Sequence, residues 1–366
     1  MKTPLLSMTV AELSTALGSR TRARELIRWL WRRPALPRGL PDTVAGVSRR
    51  VLGSLEASIC PGVPLVRERV QSADGTTKYA LDFDGTLVET VRIPATGRST
   101  VCLSSQAGCT RHCVFCATKE LGFHRHLQAW EMLAQFFVAR AEAPADAPAR
   151  NVVFMGMGEP MDNLDEVLRA VQVLTQSPAP QLRMRSVTVS TSGVVPGMRR
   201  FLEETKASLA LSLNATTDET RARLMLHARI WPIAAVLAPL REEAIRSPGR
   251  LHFIEYVLFD GVNDTDADAD RLVRLLEGIP ARVNLIPHHP FPGSRLEPPS
   301  QARVLEFQRR VVGQGLLCLV RWPRGREIAA ACGQLALARA GEGLRPSLPG
   351  TLIAEPLGER RNVDRS

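Results

Sequence analysis

Hydrophobic residues recur every three or four positions in the first part of the chain. They do so over residues 10–17 and, between arginines, over 24–31, and the same spacing resumes over 44–55 after a stretch rich in proline and glycine. This period places apolar side chains on one face of a helix. We therefore predict amphipathic surface helices in this region.

A strand pattern follows these helices. The runs 77–83 and 87–93 are rich in apolar and β-branched residues, and Asp84-Gly85 lies between them. An Asp-Gly pair between two such runs is a strong signal for a tight turn. The pattern predicts a β-hairpin.

From residue 99 the pattern changes to short β-branched runs separated by longer helical periods. The predicted strands are 100–103, 152–155, 187–190, 209–213, 253–257, 283–286 and 316–321, and the predicted helices are 127–142, 164–176, 217–226, 231–245, 265–277 and 327–340. Repeated alternation is typical of parallel strands covered by helices. It favours an α/β fold with a partial (β/α)6 TIM-like barrel, whose active site lies at the carboxyl ends of the strands.

These patterns also divide the chain into segments. We predict a small, mostly helical N-terminal domain over residues 1–70 and a hairpin or linker over 71–98. The barrel would occupy 99–340. The remainder, 341–366, is rich in glycine, proline and charge, and we expect a flexible tail there.

The net charge of +10 is concentrated at one end of the chain. Residues 1–70 hold 12 Lys and Arg against 5 Asp and Glu. A basic patch on an otherwise balanced protein suggests a polyanionic partner, most simply nucleic acid. A genomic bias toward arginine is the alternative explanation.

The composition is that of an ordinary enzyme, with 45% hydrophobic and 23% charged residues. No apolar run approaches the roughly 18 residues that span a bilayer, and the first residues lack the order of a signal peptide. We expect a cytoplasmic protein with no membrane partner. In that compartment the seven cysteines are more often free, metal-bound or catalytic than paired.

Three of the cysteines form a C-x3-C-x2-C motif, Cys109, Cys113 and Cys116. A structural zinc site needs four ligands, whereas a four-iron cluster held by only three thiolates keeps one iron open for a ligand. The motif therefore favours a reactive iron–sulfur site. A zinc site completed by His112, His124 or His126 stays open as the alternative.

A second motif, Gly156-Met157-Gly158-Glu159-Pro160, directly follows a predicted strand. Glycines at a strand end allow the backbone to approach a ligand closely, and a neighbouring carboxylate can hold a ligand amine. An ordinary turn is the alternative. Because this motif, the cysteine motif and the Ser-Thr-Ser-Gly run at 190–193 all follow strands, we expect them at one rim of the barrel.

Together these motifs resemble those of radical S-adenosylmethionine (SAM) enzymes, and more narrowly those of the RlmN/Cfr family of RNA adenine methyltransferases. The likeness runs from about residue 20 to 340. The matching stretches are Cys102-Leu-Ser-Ser-Gln-Ala-Gly-Cys109, Gly156-Met-Gly-Glu-Pro160, Val189-Ser-Thr-Ser-Gly-Val-Val-Pro196, Ile254-Glu-Tyr-Val257, Gly261-Val-Asn-Asp264, Asn284-Leu-Ile-Pro287 and Ala331-Cys332-Gly-Gln-Leu335.

The resemblance implies two cofactors and assigns residues to them. The cysteine motif would ligate one [4Fe–4S] cluster, whose open iron binds SAM, and two SAM molecules would be used per turnover. The residues that would line the SAM site are Gly158, Glu159, Ser190, Ser212, Leu213, Asn214 and His289. Asn214 and His289 depart from the usual family residues, which are histidine and asparagine, so the RNA target is an open question.

The resemblance also implies three catalytic residues. Cys332 would carry the methyl group, Cys102 would resolve the covalent intermediate as a disulfide, and Glu89 would accept a proton. From the residues alone, each has a plainer explanation: either cysteine could be a core residue, and Glu89 could pair across the hairpin.

The expected activity is methylation of carbon 2 of an adenine in 23S rRNA, with tRNA as a further target. A Cfr-like carbon-8 methyltransferase uses the same residues and is the near alternative. A zinc-stabilised RNA-binding protein without catalysis is the remote one. We further expect a flavodoxin- or ferredoxin-type electron donor and a monomer.

Overall fold

The structure is a computed structural model, and it describes residues 2–37, 39–41, 43–44, 46–56, 59–60 and 62–335. The α-helices of this part are α1 (Val10–Leu17), α2 (Arg20–Arg32), α3 (Arg49–Glu56), α4 (Ala129–Ala141), α5 (Leu164–Thr175), α6 (Val195–Glu204), α7 (Asp218–Leu224), α8 (Ile233–Arg246), α9 (Asp266–Leu275) and α10 (Gln301–Gly313). The predicted tail, 341–366, lies outside the described residues.

The β-strands of the described part complete the element order. They are β1 (Thr3–Pro4), β2 (Ile59–Cys60), β3 (Leu65–Gln71), β4 (Thr77–Phe83), β5 (Thr86–Ala95), β6 (Arg98–Cys102), β7 (Gln106–Gly108), β8 (Phe123–His126), β9 (Ala149–Phe154), β10 (Val187–Thr191), β11 (Ser208–Ser212), β12 (His252–Leu258), β13 (Ala281–Pro287) and β14 (Cys318–Val320).

Ten of these strands form one sheet in the order β14-β13-β12-β11-β10-β9-β6-β5-β4-β3. Neighbours from β6 to β14 run parallel. Residues of the non-adjacent strands β6 and β13, Thr100 and Asn284, line the same cavity, so the sheet curves around it. The predicted α/β fold with a partial barrel is confirmed.

The predicted hairpin is present, and it extends the barrel sheet. β4 pairs antiparallel with β5, and β5 pairs antiparallel with β6. Asp84 and Gly85 have φ of 53° and 87°, as a tight hairpin turn requires. Together with β3, these strands carry the sheet across the boundaries that we placed at residues 70 and 98. The division into domains stays a prediction.

The N-terminal helices pack against the barrel helix α4. Thr9 and Glu12 form a capping box at the start of α1. At the end of α2, the ring of Trp31 lies 5.5 Å from that of Phe137 and 6.1 Å from that of Phe136, both on α4. This aromatic cluster holds the basic helices against helix α4 of the barrel.

Three elements differ from the predictions. Helices α6 and α10 were not predicted, because α6 opens with Val195-Pro196-Gly197 and α10 carries many charges. The predicted helix over 327–340 is wrong in its described part. A short 3-10 turn, Arg326–Ile328, ends at Ala329 with φ of 49°, and Gly333 has φ of 82°. These left-handed residues interrupt helical hydrogen bonding.

No helix in the described part of the chain has the length and apolarity to cross a bilayer.

Replacing Trp31 with alanine should lower the free energy of unfolding by about 3–5 kcal/mol, because it removes a buried aromatic side chain. Chemical denaturation measures this loss, and hydrogen exchange should show faster exchange in α1 and α2. Trp322, which is 45% exposed, is the matched control. Its replacement with alanine should change stability by no more than about 0.5 kcal/mol, and equal effects of the two variants would contradict the anchoring role of Trp31.

Candidate active site

A cavity of about 170 Å³ opens at the carboxyl ends of the parallel strands. The cysteine motif lies on one side of it and Cys332 on another. The ends of β10 and β11 and the segments after β9, β10, β11 and β13 also line it, through Gly156, Gly158, Glu159, Ser190, Ser192, Ser212, Asn214 and His289. The expectation that the motifs meet at one rim is confirmed.

The loop that carries the cysteine motif is shaped by its own backbone hydrogen bonds. The Cys116 amide donates to the Cys113 carbonyl at 3.2 Å, and the Arg111 amide donates to the Cys109 Sγ at 3.3 Å. Two bonds tie the loop to neighbours: the Val114 amide donates to the Leu224 carbonyl, and the Ala117 amide to the Gly333 carbonyl. The thiols are therefore presented from a loop that is held at several points.

The three thiols share one buried environment. Burial raises the pKa of the Cys109 thiol to about 12. Burial, followed by the charges of Cys116 and Cys109, raises the pKa of Cys113 well above its usual range. Deprotonating all three thiols therefore needs a positively charged partner, which a bound metal centre supplies.

The residues fit an iron–sulfur cluster better than a single ion. Within the described residues, no three His, Cys, Asp or Glu side chains converge closely enough to hold one ion. In a four-iron cluster each thiolate binds a different iron, so its ligands need not converge on one point. The histidines that could complete a zinc site, His112, His124 and His126, are exposed and do not line the cavity.

The Glu159 carboxylate joins two loops of the rim. Its Oε2 accepts hydrogen bonds from the Ser192 amide at 2.8 Å and the Ser192 hydroxyl at 2.6 Å, and its Oε1 accepts from the Met161 amide at 3.0 Å. Burial raises the pKa of Glu159, although these hydrogen bonds oppose the shift. Glu159 therefore holds the loops after β9 and β10 together, beside its expected role toward a ligand amine.

The two glycines before Glu159 are required by packing. A Cβ on Gly156 would lie 2.6 Å from Ser104 Oγ, and a Cβ on Gly158 would lie 2.6 Å from Gln106 Cβ. Gly158 also has φ of 104°, which disfavours side chains. The close approach is thus to the segment after β6, which brings that segment and the Gly-Met-Gly-Glu loop to the same wall of the cavity.

Most of the predicted SAM-site residues line the cavity, and Leu213 does not. Leu213 is fully buried, and its amide donates to the Glu255 carbonyl at 3.0 Å. Asn214 has φ of 58°, a conformation that asparagine tolerates. Its side-chain oxygen accepts from the Val257 amide at 2.9 Å, so it shapes the loop between β11 and α7.

Of the three predicted catalytic residues, Cys332 alone lines the cavity. It is exposed on the irregular loop after the Arg326–Ile328 turn. Cys102 is 9% exposed and packs in one cluster with Val91, Met157 and Ala330. Burial, followed by the nearby charge of Cys332, raises the pKa of the Cys102 thiol to about 12. Cys102 thus packs against Ala330, two residues before Cys332 on its loop, and both thiols are free.

Glu89 lies behind this wall of the cavity. It is 2% exposed, and its carboxylate pairs with the Lys78 ammonium at 2.9 Å. Its backbone is tied to the segments that form this wall. The Glu89 carbonyl accepts a hydrogen bond from the Ser104 hydroxyl at 2.6 Å, and the same hydroxyl oxygen accepts one from the Met157 amide at 2.9 Å.

Sequence reasoning missed one residue that organises the rim, Arg221 of α7. This side chain is 1% exposed and donates to the carbonyls of Ser192 at 2.6 Å and Leu213 at 3.1 Å. Burial lowers its pKa to about 10. A single arginine in a charged helix gives no sequence signal for burial.

A three-cysteine loop above the ends of parallel strands defines the class of the protein: residues 103–273 match the model of the Radical SAM superfamily. The dual-specificity RNA methyltransferase RlmN of Anaeromyxobacter dehalogenans is 42% identical over 343 residues, 89% of each chain. RlmN of Geobacter sulfurreducens is 43% identical over 318 residues, 86% of each chain. The chain belongs to the RlmN family of RNA methyltransferases, and the resemblance seen in its motifs is confirmed.

A solved structure agrees with this assignment. The crystal structure of a radical SAM methyltransferase from Sphaerobacter thermophilus superposes with a TM-score of 0.83 at 38% identity, covering 91% of this chain and 98% of that one. Radical SAM proteins bind a [4Fe–4S] cluster and SAM. The cysteine motif and the loops around the cavity are the residues of this chain that would hold them.

Replacing Gly158 with alanine should weaken SAM binding to the cluster-loaded protein at least about tenfold, because the new Cβ would displace the segment at Gln106. Equilibrium dialysis with labelled SAM measures this. Gly278 is the matched control, since its φ of 74° is also positive and no atom lies within 4 Å of its ideal Cβ. Its replacement with alanine should leave SAM affinity unchanged, and equal losses in both variants would contradict the packing argument.

Proposed function

We propose that this protein methylates carbon 2 of an adenine in 23S rRNA and, as a second substrate, in tRNA, through a methylated Cys332. The observation that carries the proposal is the placement of Cys332. This cysteine faces the cavity of the cluster motif, and the second thiol, Cys102, packs against Ala330 of the same loop. The similar proteins of known activity are dual-specificity RNA methyltransferases, which supports an RNA substrate.

Carbon 2 of adenine is electron-poor, so it does not attack the methyl group of SAM directly. In the proposed route, the Cys332 thiolate first takes a methyl group from one SAM by displacement. A bound cluster would supply the electron that cleaves a second SAM, and the carbon radical formed in this way would remove a hydrogen atom from the S-methyl group of Cys332. The methylene radical on Cys332 then adds to carbon 2 and ties the RNA to the protein.

Release of the product uses the other two residues. Glu89 accepts the proton from carbon 2, and a bound cluster would take up the electron that the adduct loses. The Cys102 thiolate attacks the Cys332 sulfur, the carbon–sulfur electron pair passes to the methylene carbon, and that carbon takes a proton to become the methyl group. A dithiol reductant would then reduce the disulfide between Cys102 and Cys332 before the next turnover. This division of labour gives each of the two thiols a separate role.

A second cavity supports access of RNA to Cys332. It measures about 770 Å³, and Cys332 lines both cavities. Among its described lining residues are five arginines, Arg98, Arg185, Arg282, Arg321 and Arg324, and no Asp or Glu. A lining rich in arginine suits phosphate contacts. We propose that the target nucleotide, extruded from its helix, reaches Cys332 through this cavity.

Exposed arginines on the N-terminal helices would add further phosphate contacts. Arg20, Arg22 and Arg32 of α2 and Arg49 and Arg50 of α3 are all exposed. Contacts of this kind hold RNA without reading its sequence. They would orient the RNA while the second cavity receives the nucleotide.

The decisive experiment combines the purified, cluster-loaded protein with 23S rRNA and tRNA and maps methylated adenines by nucleoside mass spectrometry. We expect 2-methyladenosine with the wild-type protein and none with C332A. C318A is the control, because Cys318 is a buried thiol outside both cavities. Methylation at carbon 8 would indicate the Cfr-like activity, and a colourless zinc protein without methylation would contradict the enzymatic proposal.

Replacing Arg321 and Arg324 with alanine should weaken RNA binding and lower the salt dependence of binding, by about one unit of log–log slope per arginine. Fluorescence anisotropy over a salt series measures both. The control is R199A, because Arg199 is an exposed arginine that pairs with Glu242. This replacement should leave the slope unchanged. If the slope of the double variant equals that of the wild type, the RNA lies elsewhere.

A further inference from the structure

A buried ion pair lies beneath the cavity wall. Lys78 of β4 and Glu89 of β5 place Nζ and Oε1 2.9 Å apart, with side chains only 9% and 2% exposed. A buried ion pair gains little stability over apolar residues of similar size, because both ions must be desolvated. Stability alone therefore gives a weak reason for two charges at this place.

The sheet register puts this pair on the same face as the thiol Cys102. Lys78 is directly opposite Val91, and Val91 is directly opposite Cys102. Side chains of directly paired residues point to one face, and so do residues two apart on a strand. Lys78, Glu89, Val91 and Cys102 thus share one face of the sheet.

The loop that carries Cys332 covers this face, and Lys78 contacts it. The Lys78 Nζ donates to the Ala329 carbonyl at 3.4 Å. Two other bonds hold the same loop to the start of the hairpin: the Gly325 amide donates to Asp74 Oδ2 at 3.2 Å, and the Ala73 amide donates to Glu327 Oε1 at 3.0 Å. One ammonium therefore touches both the carboxylate of Glu89 and the loop of Cys332.

We propose that Lys78 is a positioning residue that holds the Glu89 carboxylate in place beside the Cys332 loop for proton removal from the covalent RNA adduct. The inference depends on the proposed function, since it gives Lys78 a role in one step of that route. Lys78 does not touch the RNA or the cofactors in this scheme, and it acts through Glu89.

The physical reason is the geometry of the two contacts that Lys78 makes. Its ammonium lies 2.9 Å from Glu89 Oε1 and 3.4 Å from the Ala329 carbonyl. One side chain therefore holds the carboxylate near the segment whose sulfur carries the adduct.

The test is a single-turnover reaction of the full-length, cluster-loaded protein with RNA, in which covalent protein–RNA adduct and methylated RNA are measured together. With K78M we expect methylation of Cys332 to continue and the ratio of adduct to product to rise at least about tenfold, because general-base assistance contributes more than that. K78R should recover most of the wild-type ratio. R67M, which breaks the half-exposed pair with Asp82 on the same sheet, should leave the ratio unchanged.

A double-mutant cycle distinguishes positioning from a purely structural role. If Lys78 acts through Glu89, the ratio for K78M/E89Q should equal that for E89Q alone. A folded K78M with the wild-type ratio overturns the proposal, and so does a parallel fall of Cys332 methylation, adduct and product. The proposal is also overturned if the Lys78 variants unfold both with Glu89 and with E89Q, because Lys78 would then have a purely structural role. Failure of the wild-type protein to methylate adenine would instead contradict the proposed function.

Discussion

The rim of the site depends on one buried cation, Arg221. Its guanidinium binds the carbonyls of Ser192 and Leu213, which belong to the loops after β10 and β11. A Cβ on Gly193 would lie 2.9 Å from its Nη2, so the loop packs directly on the charge. A buried arginine that lost these partners would cost several kcal/mol. Both loops are therefore confined to positions that satisfy it, and those positions place Ser190, Ser212 and Asn214 around the cavity.

The same cation helps to explain the charge balance of the cysteine motif. The charges of Cys116, Cys109 and Glu159 raise the pKa of Cys113 beyond the effect of burial, and Arg221 opposes them. Arg111 opposes the rise at Cys109 and Lys119 opposes it at Cys116, but these two cations also pair with Asp162 and Glu120. Three thiolates and the Glu159 carboxylate therefore outweigh the positive charge around them. The protein therefore has more negative than positive charge at this site. A cationic metal centre that binds the thiolates would neutralise the excess.

Local patterns predicted the elements whose signal is short-range. The strand at 77–83 and the start of the strand at 187 agree with β4 and β10, because β-branched runs between turn residues show strands directly. The cysteine motif was likewise visible in the sequence. By contrast, Lys78 and Arg221 are single charged residues whose burial depends on strand register and loop packing. The helix predicted around Cys332 failed because Ala329 and Gly333 adopt left-handed conformations there.

The antiparallel strands added to the barrel explain where Cys332 lies. Its loop is irregular and has a few backbone hydrogen bonds of its own, such as that from the Ala330 amide to the Gly325 carbonyl, so other elements supply further partners. Asp74 and Lys78 hold one end of this loop to the hairpin, and the Ala117 amide holds Gly333 to the cysteine motif. Cys332 thus lies between the hairpin that carries Glu89 and the cysteine motif that would bind the cluster. In the proposed route the Cys332 sulfur meets SAM, the target adenine and the Cys102 thiol in succession, and a loop held between several elements suits that sequence of contacts.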